Sequence, residues 1–313
     1  MKRRLGTTDL HVFPLCLGGN VFGWTADEQR SFEVLDAYAA AGGNFIDTAD
    51  AYSAWVPGHT GGESETIIGR WMKTRGNRGQ MIVATKVGRL SSLQGLSAAT
   101  IRAGAEASLR RLATDYIDVY FAHADDPGTP LEETLRAFDG LVSEGKVRHI
   151  AASNYTAPRL AEALAISRRE SLAPYVAVQP HYNLAHREEY EGALRDLSER
   201  EHLACVPYFA LASGFLTGKY RAGITVDSPR AAWVTKYLDE RGQRLLEVLD
   251  DTAAAHQTTV AAVALAWLLA DATIAAPIAS ARTGGQLADL LPAVDLRLDA
   301  DEIARLTKAG QHR

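Results

Sequence analysis

Cysteine is scarce: 313 residues hold two, Cys16 and Cys205. A disulfide framework or a cysteine-rich metal site needs more thiols at better spacing. Each cysteine stands in an apolar, strand-like run, VFPLCLGG and HLACVPYF, and reads as a small buried core side chain. Long hydrophobic runs are also missing. Nothing approaches the roughly 18 apolar residues of a membrane span, and the basic opening MKRRLGTTDL is not followed by the apolar run of a signal peptide. Positive charge is not in excess: 33 Lys and Arg against 38 Asp and Glu give a net charge of −5, with no basic stripe. That argues against nucleic acid as a partner and leaves any polyanionic ligand to a local basic pocket. No G-x-G-x-x-G opens a helix after a strand, which counts against a Rossmann domain. These absences point to a cytoplasmic protein with no membrane partner and leave the oligomeric state open.

What is present is a rhythm of short β-rich runs and amphipathic helical stretches. Eight candidate strands are Pro14–Leu17, Phe45–Asp47, Met81–Lys86, Tyr116–Ala122, His149–Ala152, Tyr175–Gln179, Leu203–Pro207 and Thr273–Pro277. Helical spacing marks Asp27–Ala41, Glu63–Trp71, Ser97–Leu112, Leu131–Glu144, Ala157–Arg168 and Arg187–Arg200, then a pair near Ala231–Ala255 and Val260–Leu269. Ser97, Thr100, Thr156 and Thr258 read as N-cap signals, and Gly42–Gly43 and Gly145 as C-terminal stops. Alternating βα units imply a parallel sheet, and eight evenly spaced strands favour a closed (β/α)8 barrel, a fold that runs to about 250 residues or more as one domain. Residues 1–313 are therefore read as a single domain. RRLGTTDLHVFPL reads as a hairpin capping the barrel bottom, and Gln286–Leu291 and Asp301–Ala309 as extra C-terminal helices. The long connection from Tyr208 to about Arg230, rich in Gly, Ser and aromatics, is expected to shape a site.

Asp47 ends one strand and Tyr52 follows it; Lys86 ends the next strand and His123 closes the one after. Taken singly, each has an ordinary explanation: a turn aspartate, a wall tyrosine, a rim lysine, a core histidine. Strand ends of a barrel converge on one mouth, however, whatever their separation in sequence. Together the four suit carbonyl reduction. An alkoxide formed by hydride addition needs a proton, and Tyr52 supplies it if a nearby Lys86 ammonium lowers its pKa from about 10. Asp47 holds Lys86 in place, and His123 orients the carbonyl oxygen and stabilises the developing charge.

N-F-I-D-T-A-D-A-Y, G-E-S-E-x-x-I-G, T-K-V-G and D-Y-I-D-V-Y-F-A-H together closely resemble the aldo-keto reductase superfamily. The likeness continues through A-S-N-Y at 152–155, V-Q-P-H-Y-N at 178–183, L-x-x-G-x-L-T-G-K at 211–219 and A-R-T-x-x-Q-L at 281–287, and so covers essentially the whole chain. It is strongest toward bacterial members that also resemble potassium-channel β subunits. The resemblance implies an NADPH/NADP+-dependent oxidoreductase acting on a small carbonyl compound, with Asp47, Tyr52, Lys86 and His123 as the catalytic tetrad. It also implies that Ser153, Asn154 and Gln179 hold the nicotinamide carboxamide and that Tyr208 stacks on the ring. Leu211, Ser213 and Lys219 would fold over the pyrophosphate, and Ser280, Arg282, Gln286 and Asp289 would hold the adenosine end, with Gly19 and Asp47 completing the cofactor set. Four departures stand out: Phe209–Ala210 where Ser-Pro is common, Ser280 where Gly is common, Leu290 where Asn is common, and a longer stretch at 53–62. Trp24, Trp55, Phe22 and Phe209 are candidates for an apolar substrate wall.

Two other functions compete. One is a low-turnover NADPH-binding sensor or channel-β-like module; the intact tetrad favours an enzyme, and no extension precedes the first hairpin to serve as a channel-inactivating segment. The other is a Schiff-base aldolase built on Lys86, which needs a depressed lysine pKa in an apolar pocket, whereas Asp47 favours the charged form.

Overall fold

Apart from Arg148 and His149 near the start of one strand, the strands of the main sheet are buried on both faces, as a parallel sheet covered by helices requires. The computed structural model describes residues 1–221, 223–224, 226 and 229–311. Its central strands are β1 (Cys16–Gly18), β2 (Phe45–Asp47), β3 (Ile82–Val87), β4 (Ile117–Ala122), β5 (Val147–Ser153), β6 (Tyr175–Gln179), β7 (Ala204–Cys205) and β8 (Ile278–Ala279). They hydrogen-bond in the order β7-β6-β5-β4-β3-β2-β1-β8, all in parallel. The ring closes where the Ala275 N–H donates to the Cys205 carbonyl at 2.9 Å and the Ile278 N–H to that of Pro207 at 2.9 Å. The result is a (β/α)8 barrel.

The two-residue side-chain period sorts each strand into two rows. Phe45, Ile82, Ala84, Val119, Phe121, Ala151, Ala177 and Ala204 pack together inside the barrel. Ile46, Val83, Tyr120, Ile150 and Val178 face outward and pack under the helices. Parity then fixes the chemistry. Asp47 shares the inward row of Phe45, Lys86 that of Ile82 and Ala84, His123 that of Val119 and Phe121, and Gln179 that of Ala177. In these four rows the polar residue stands at the C-terminal end, so the four meet at one mouth.

Around the barrel lie α1 (Glu28–Ala40), α2 (Glu63–Arg75), α3 (Ala98–Leu112), α4 (Leu131–Ser143), α5 (Ala157–Glu170), α6 (Ala193–Arg200), α7 (Glu240–Ala255) and α8 (Val260–Leu269), followed by α9 (Gly284–Leu290) and α10 (Ala300–Gly310). Ser97 and Thr156 cap α3 and α5 as expected, while Thr100 lies inside α3 and Thr259, not Thr258, caps α8. Gly42 and Gly145 adopt the left-handed conformation beyond α1 and α4.

Three expected elements differ. The Arg187–Arg200 helix begins only at Ala193, because Gly192 takes φ +82° and the preceding residues form turns. The Ala231–Ala255 stretch is broken into a four-residue helix, Ala231–Val234, a 3-10 turn, Thr235–Tyr237, and α7, which Asp239 starts afresh by accepting the Gly242 N–H. The last strand is Ile278–Ala279 rather than Thr273–Pro277; Thr273 and Ala275 instead make the contacts with Cys205 that close the ring.

The opening hairpin, Arg3–Arg4 paired with His11–Val12, plugs the bottom of the barrel: Leu5, Leu10 and Val12 join the interior cluster. Arg3 ties it down by donating to the carbonyls of Ile274 and Leu269 at 2.6 and 2.7 Å. Both cysteines are fully buried and unpaired. Among the described residues no single helix is long and apolar enough to cross a membrane.

Candidate active site

A cavity of about 820 Å³ opens at the C-terminal ends of the strands, within the upper range of small-molecule sites. At its inner end Lys86 is fully buried, with Nζ 2.7 and 2.8 Å from the two Asp47 carboxylate oxygens. The same ammonium donates to the Thr48 carbonyl at 2.7 Å and to the Tyr52 hydroxyl at 2.9 Å. Tyr52 in turn donates to Asp47 Oδ2 at 3.0 Å, and its ring lies 6.2 Å from that of His123. The four residues expected to act together are therefore brought together. With Nζ held by three residues in a buried ion pair, Lys86 offers no free amine, which disfavours Schiff-base chemistry.

The electrostatics differ from the sequence expectation at Tyr52. Burial pushes its phenol well above 10, and the adjacent Asp47 carboxylate pushes it the same way. The expected lowering by Lys86 fails for a local reason: the ammonium contacts both Asp47 oxygens, so the hydroxyl meets an ion pair rather than a lone cation. Burial, with Lys86 and Arg89 nearby, pushes the His123 imidazole well below 6.5. The site thus presents a protonated phenol and a neutral imidazole near pH 7.

Beyond the tetrad, Gln179 at the end of β6 donates from Nε2 to Asp47 Oδ1 at 3.0 Å. Ser153 at the end of β5 donates to the Gln179 carbonyl at 2.9 Å. Asn154 donates to the His123 carbonyl at 2.9 Å and accepts from the Tyr208 hydroxyl at 2.9 Å. Asn154 has φ +57°, a left-handed conformation that asparagine tolerates better than most residues. Behind Tyr208, outside the cavity lining, the rings of His181 and His186 stack 3.8 Å apart. Burial and the neighbouring His186 push His181 down to about 3, so it too is neutral.

The connection after β7 starts at Tyr208 as expected; residues 222, 225, 227 and 228 of it lie outside the described residues. Phe209, Ala212 and Ser213 all have positive φ, between +48° and +59°. Such strain persists only where the surroundings enforce it, commonly at ligand sites. Leu211, Ser213 and Lys219 border the cavity, as do Ser280, Arg282, Gln286 and Asp289 at its outer end. Gly19 does not. It is buried behind the wall, where a Cβ would come 2.8 Å from Ser64 Oγ, and its neighbours Gly18 and Asn20 face the cavity instead. Phe22 is also absent from the wall: it is fully buried, and its carbonyl accepts from Ser53.

The sequence reading missed three residues. Arg230 reaches the outer end and donates to Asn20 Oδ1 at 3.4 Å, while Asn20 also accepts from Ser280 at 2.7 Å. Neither residue stands at a strand end or in a motif that singles it out. Lys219, Arg230 and Arg282 lie close together: burial and then its two cationic neighbours lower Lys219, and burial and then Arg282 lower Arg230. Lys219 and Arg282 have no carboxylate partner among the described residues. Cations held in mutual repulsion around a cavity suit a polyanion. The third is Asp50, 1% exposed, whose carboxylate oxygens have no partner among the described residues. Burial and then Glu65 push it up to about 7.

A model of the Aldo/keto reductase family matches residues 14–311. An uncharacterized oxidoreductase of Bacillus subtilis, YrpG, is 37% identical, the alignment covering 96% of this chain and 93% of the relative. The norsolorinic acid reductase of Aspergillus flavus is 31% identical over 96% of this chain and 78% of its own length. A probable voltage-gated potassium channel subunit beta of rice, Oryza sativa subsp. japonica, is 32% identical, with coverages of 94% and 91%.

Proposed function

The chain belongs to the aldo/keto reductase family and is an oxidoreductase of that family, and from that premise we propose that it reduces an aldehyde or ketone to an alcohol with NADPH, Tyr52 serving as proton donor. One observation carries the reading: a single cavity has the Asp47–Tyr52–Lys86 cluster beside His123 at one end and Lys219, Arg230 and Arg282 at the other.

The residues fit a nicotinamide dinucleotide. Ser153, Asn154 and Gln179 offer amide and hydroxyl groups for the carboxamide, and Tyr208 offers a flat aromatic face. Lys219 and Arg230 suit the pyrophosphate, and Arg282 suits a 2′-phosphate, which a guanidinium can meet with two hydrogen bonds. Gln286 and Asp289 lie at the adenosine end. When bound, the cofactor supplies the hydride.

The proton is the protein's part. His123, neutral, donates a hydrogen bond to the substrate carbonyl oxygen and fixes it near the Tyr52 hydroxyl. As negative charge grows on that oxygen, the Tyr52 proton moves to it, and the Lys86 ammonium stabilises the phenolate left behind. A raised phenol pKa does not oppose this, because an alkoxide is a much stronger base than a phenolate. Lys86 keeps its place through Asp47 and Thr48.

The test is consumption of NADPH and of NADH across aldehydes, ketones and keto-sugars. Turnover with NADPH and weaker turnover with NADH is the expected result. Tight NADPH binding without consumption on any carbonyl would overturn the reading in favour of a cofactor-holding module, the alternative that the rice channel relative brings forward.

A further inference from the structure

Three of the chain's five tryptophans stand at the cavity mouth on three different loops: Trp24 after β1, Trp55 after β2 and Trp233 after β7. They form an unbroken aromatic path that starts at the proposed donor. The Tyr52 and Trp55 rings are 6.3 Å apart, Trp55 and Trp24 5.5 Å, and Trp24 and Trp233 6.3 Å. The first two pairs meet edge to face, and the Arg230 guanidinium lies over the Trp24 ring, 5.4 Å from its centre. Trp55 and Trp233 are 49% and 47% exposed, while the remaining two tryptophans are buried in the core. Large aromatics left wet on separate loops around one opening do not serve the fold; they mark a binding surface.

A second observation concerns charge. Arg89 follows β3 in a two-residue strand, is exposed, and borders the same cavity as Tyr52, His123 and Tyr208. Among the described residues its side chain has no hydrogen bond or ion pair, unlike Arg78, Arg111, Arg148 and Arg159, which all hold carboxylates. An exposed, uncommitted guanidinium at the rim of that cavity recognises an anion.

We propose that the substrate is a planar aryl aldehyde or ketone carrying an acidic substituent, its ring held among Trp24, Trp55 and Trp233 and its anion met by Arg89. This rests on the carbonyl-reductase reading. It adds a substrate class and assigns substrate selection to four side chains outside the tetrad. The path from Tyr52 outward favours a substrate whose carbonyl sits at its inner tip and whose aromatic body points to the mouth. A saturated ring of equal size fills such a space without offering a π face.

The test compares kcat/KM, with NADPH saturating, for 4-carboxybenzaldehyde, 4-methylbenzaldehyde and cyclohexanecarbaldehyde. Activity is expected to fall in that order. Arg89→Gln should reduce the preference for the carboxy over the methyl compound about fivefold, mainly through KM and more at low salt, as expected for a partly solvated charge pair. Trp55→Leu and Trp233→Leu should each reduce the preference for 4-methylbenzaldehyde over the cyclohexyl compound about three- to tenfold. Equal activity on aryl and cyclohexyl aldehydes overturns the aromatic assignment, and an Arg89→Gln effect shared equally by the carboxy and methyl compounds overturns the anion assignment; both leave the reductase reading standing. If no carbonyl compound is turned over, the reductase reading is what fails. Calorimetric titration of 4-carboxybenzaldehyde into the NADP+-loaded protein then decides the pocket separately: binding weakened by Arg89→Gln supports the proposal, and no binding overturns it.

Discussion

Lys86→Met would remove an ammonium that is wholly buried and serves three residues at once. Methionine nearly keeps the volume, so the loss is electrostatic. Removing one partner of a buried ion pair typically costs about 3–5 kcal/mol, because the other charge stays behind. Asp47 would keep two neutral donors, Tyr52 Oη and Gln179 Nε2, both at 3.0 Å, which places the cost near the lower end, about 3 kcal/mol. Unfolding entropy of about 2.1 cal/mol/K per residue over this chain amounts to roughly 0.66 kcal/mol/K, so Tm should fall by about 5 °C. Calorimetry of the cofactor-free protein at pH 7 measures it. The double variant Asp47→Asn/Lys86→Met leaves no charge behind and should recover much of the loss, with a coupling of about 1 kcal/mol or more. A Tm unchanged by Lys86→Met, or strictly additive changes in the double variant, would refute the buried charged pair.

Three further outcomes follow from the same site. Between pH 8 and 10, above the Asp50 transition, neither the raised Tyr52 phenol nor the depressed His123 imidazole changes protonation, so kcat/KM for carbonyl reduction should be flat there; a descending limb centred between pH 8 and 9 would contradict it. Asp50, lifted to about 7 from 3.8, binds its proton more tightly folded than unfolded, so stability is lost as pH rises from 3.8 to about 7, by up to about 4 kcal/mol. Asp50→Asn should therefore flatten the fall in Tm between pH 5 and 8, and an identical fall in both proteins would count against the buried acid. Arg282→Ala should abolish a preference for NADPH over NADH of roughly tenfold or more, read from the two dissociation constants; a preference that survives the change would move the 2′-phosphate contact to Lys219 or Arg230.

Much of the inner site was legible because a barrel makes parity informative. Once NFID and MIVATK are read as strands, the two-residue period sends Asp47 and Lys86 to the same side as Phe45, Ile82 and Ala84, and the strand ends bring them to one mouth. His123 and Gln179 follow by the same count. The outer end was less legible. Arg230 sits in a turn and Asn20 in a three-residue 3-10 helix, too short for a period to fix direction, and only the folded chain puts them beside Ser280 and Arg282. Phe22 illustrates the same limit: its neighbour Trp24 faces the cavity, yet Phe22 turns into the core. The Tyr52 shift was misread because the sequence places a lysine and an aspartate near the phenol but does not say that they neutralise one another. Asp50, three residues beyond Asp47, gave no sign that its carboxylate would be buried without a partner.

The most direct test of the proton-donor assignment is Tyr52→Phe, which keeps the ring and its packing against Trp55 and removes only the hydroxyl held by Asp47 and Lys86. NADPH affinity by fluorescence titration should stay near that of the parent protein, while the single-turnover rate of carbonyl reduction should drop by about 10²–10⁴-fold, the usual share of a general acid. A variant that binds NADPH normally and keeps more than about a tenth of the parent rate, well short of a general acid's contribution, would show that another group delivers the proton.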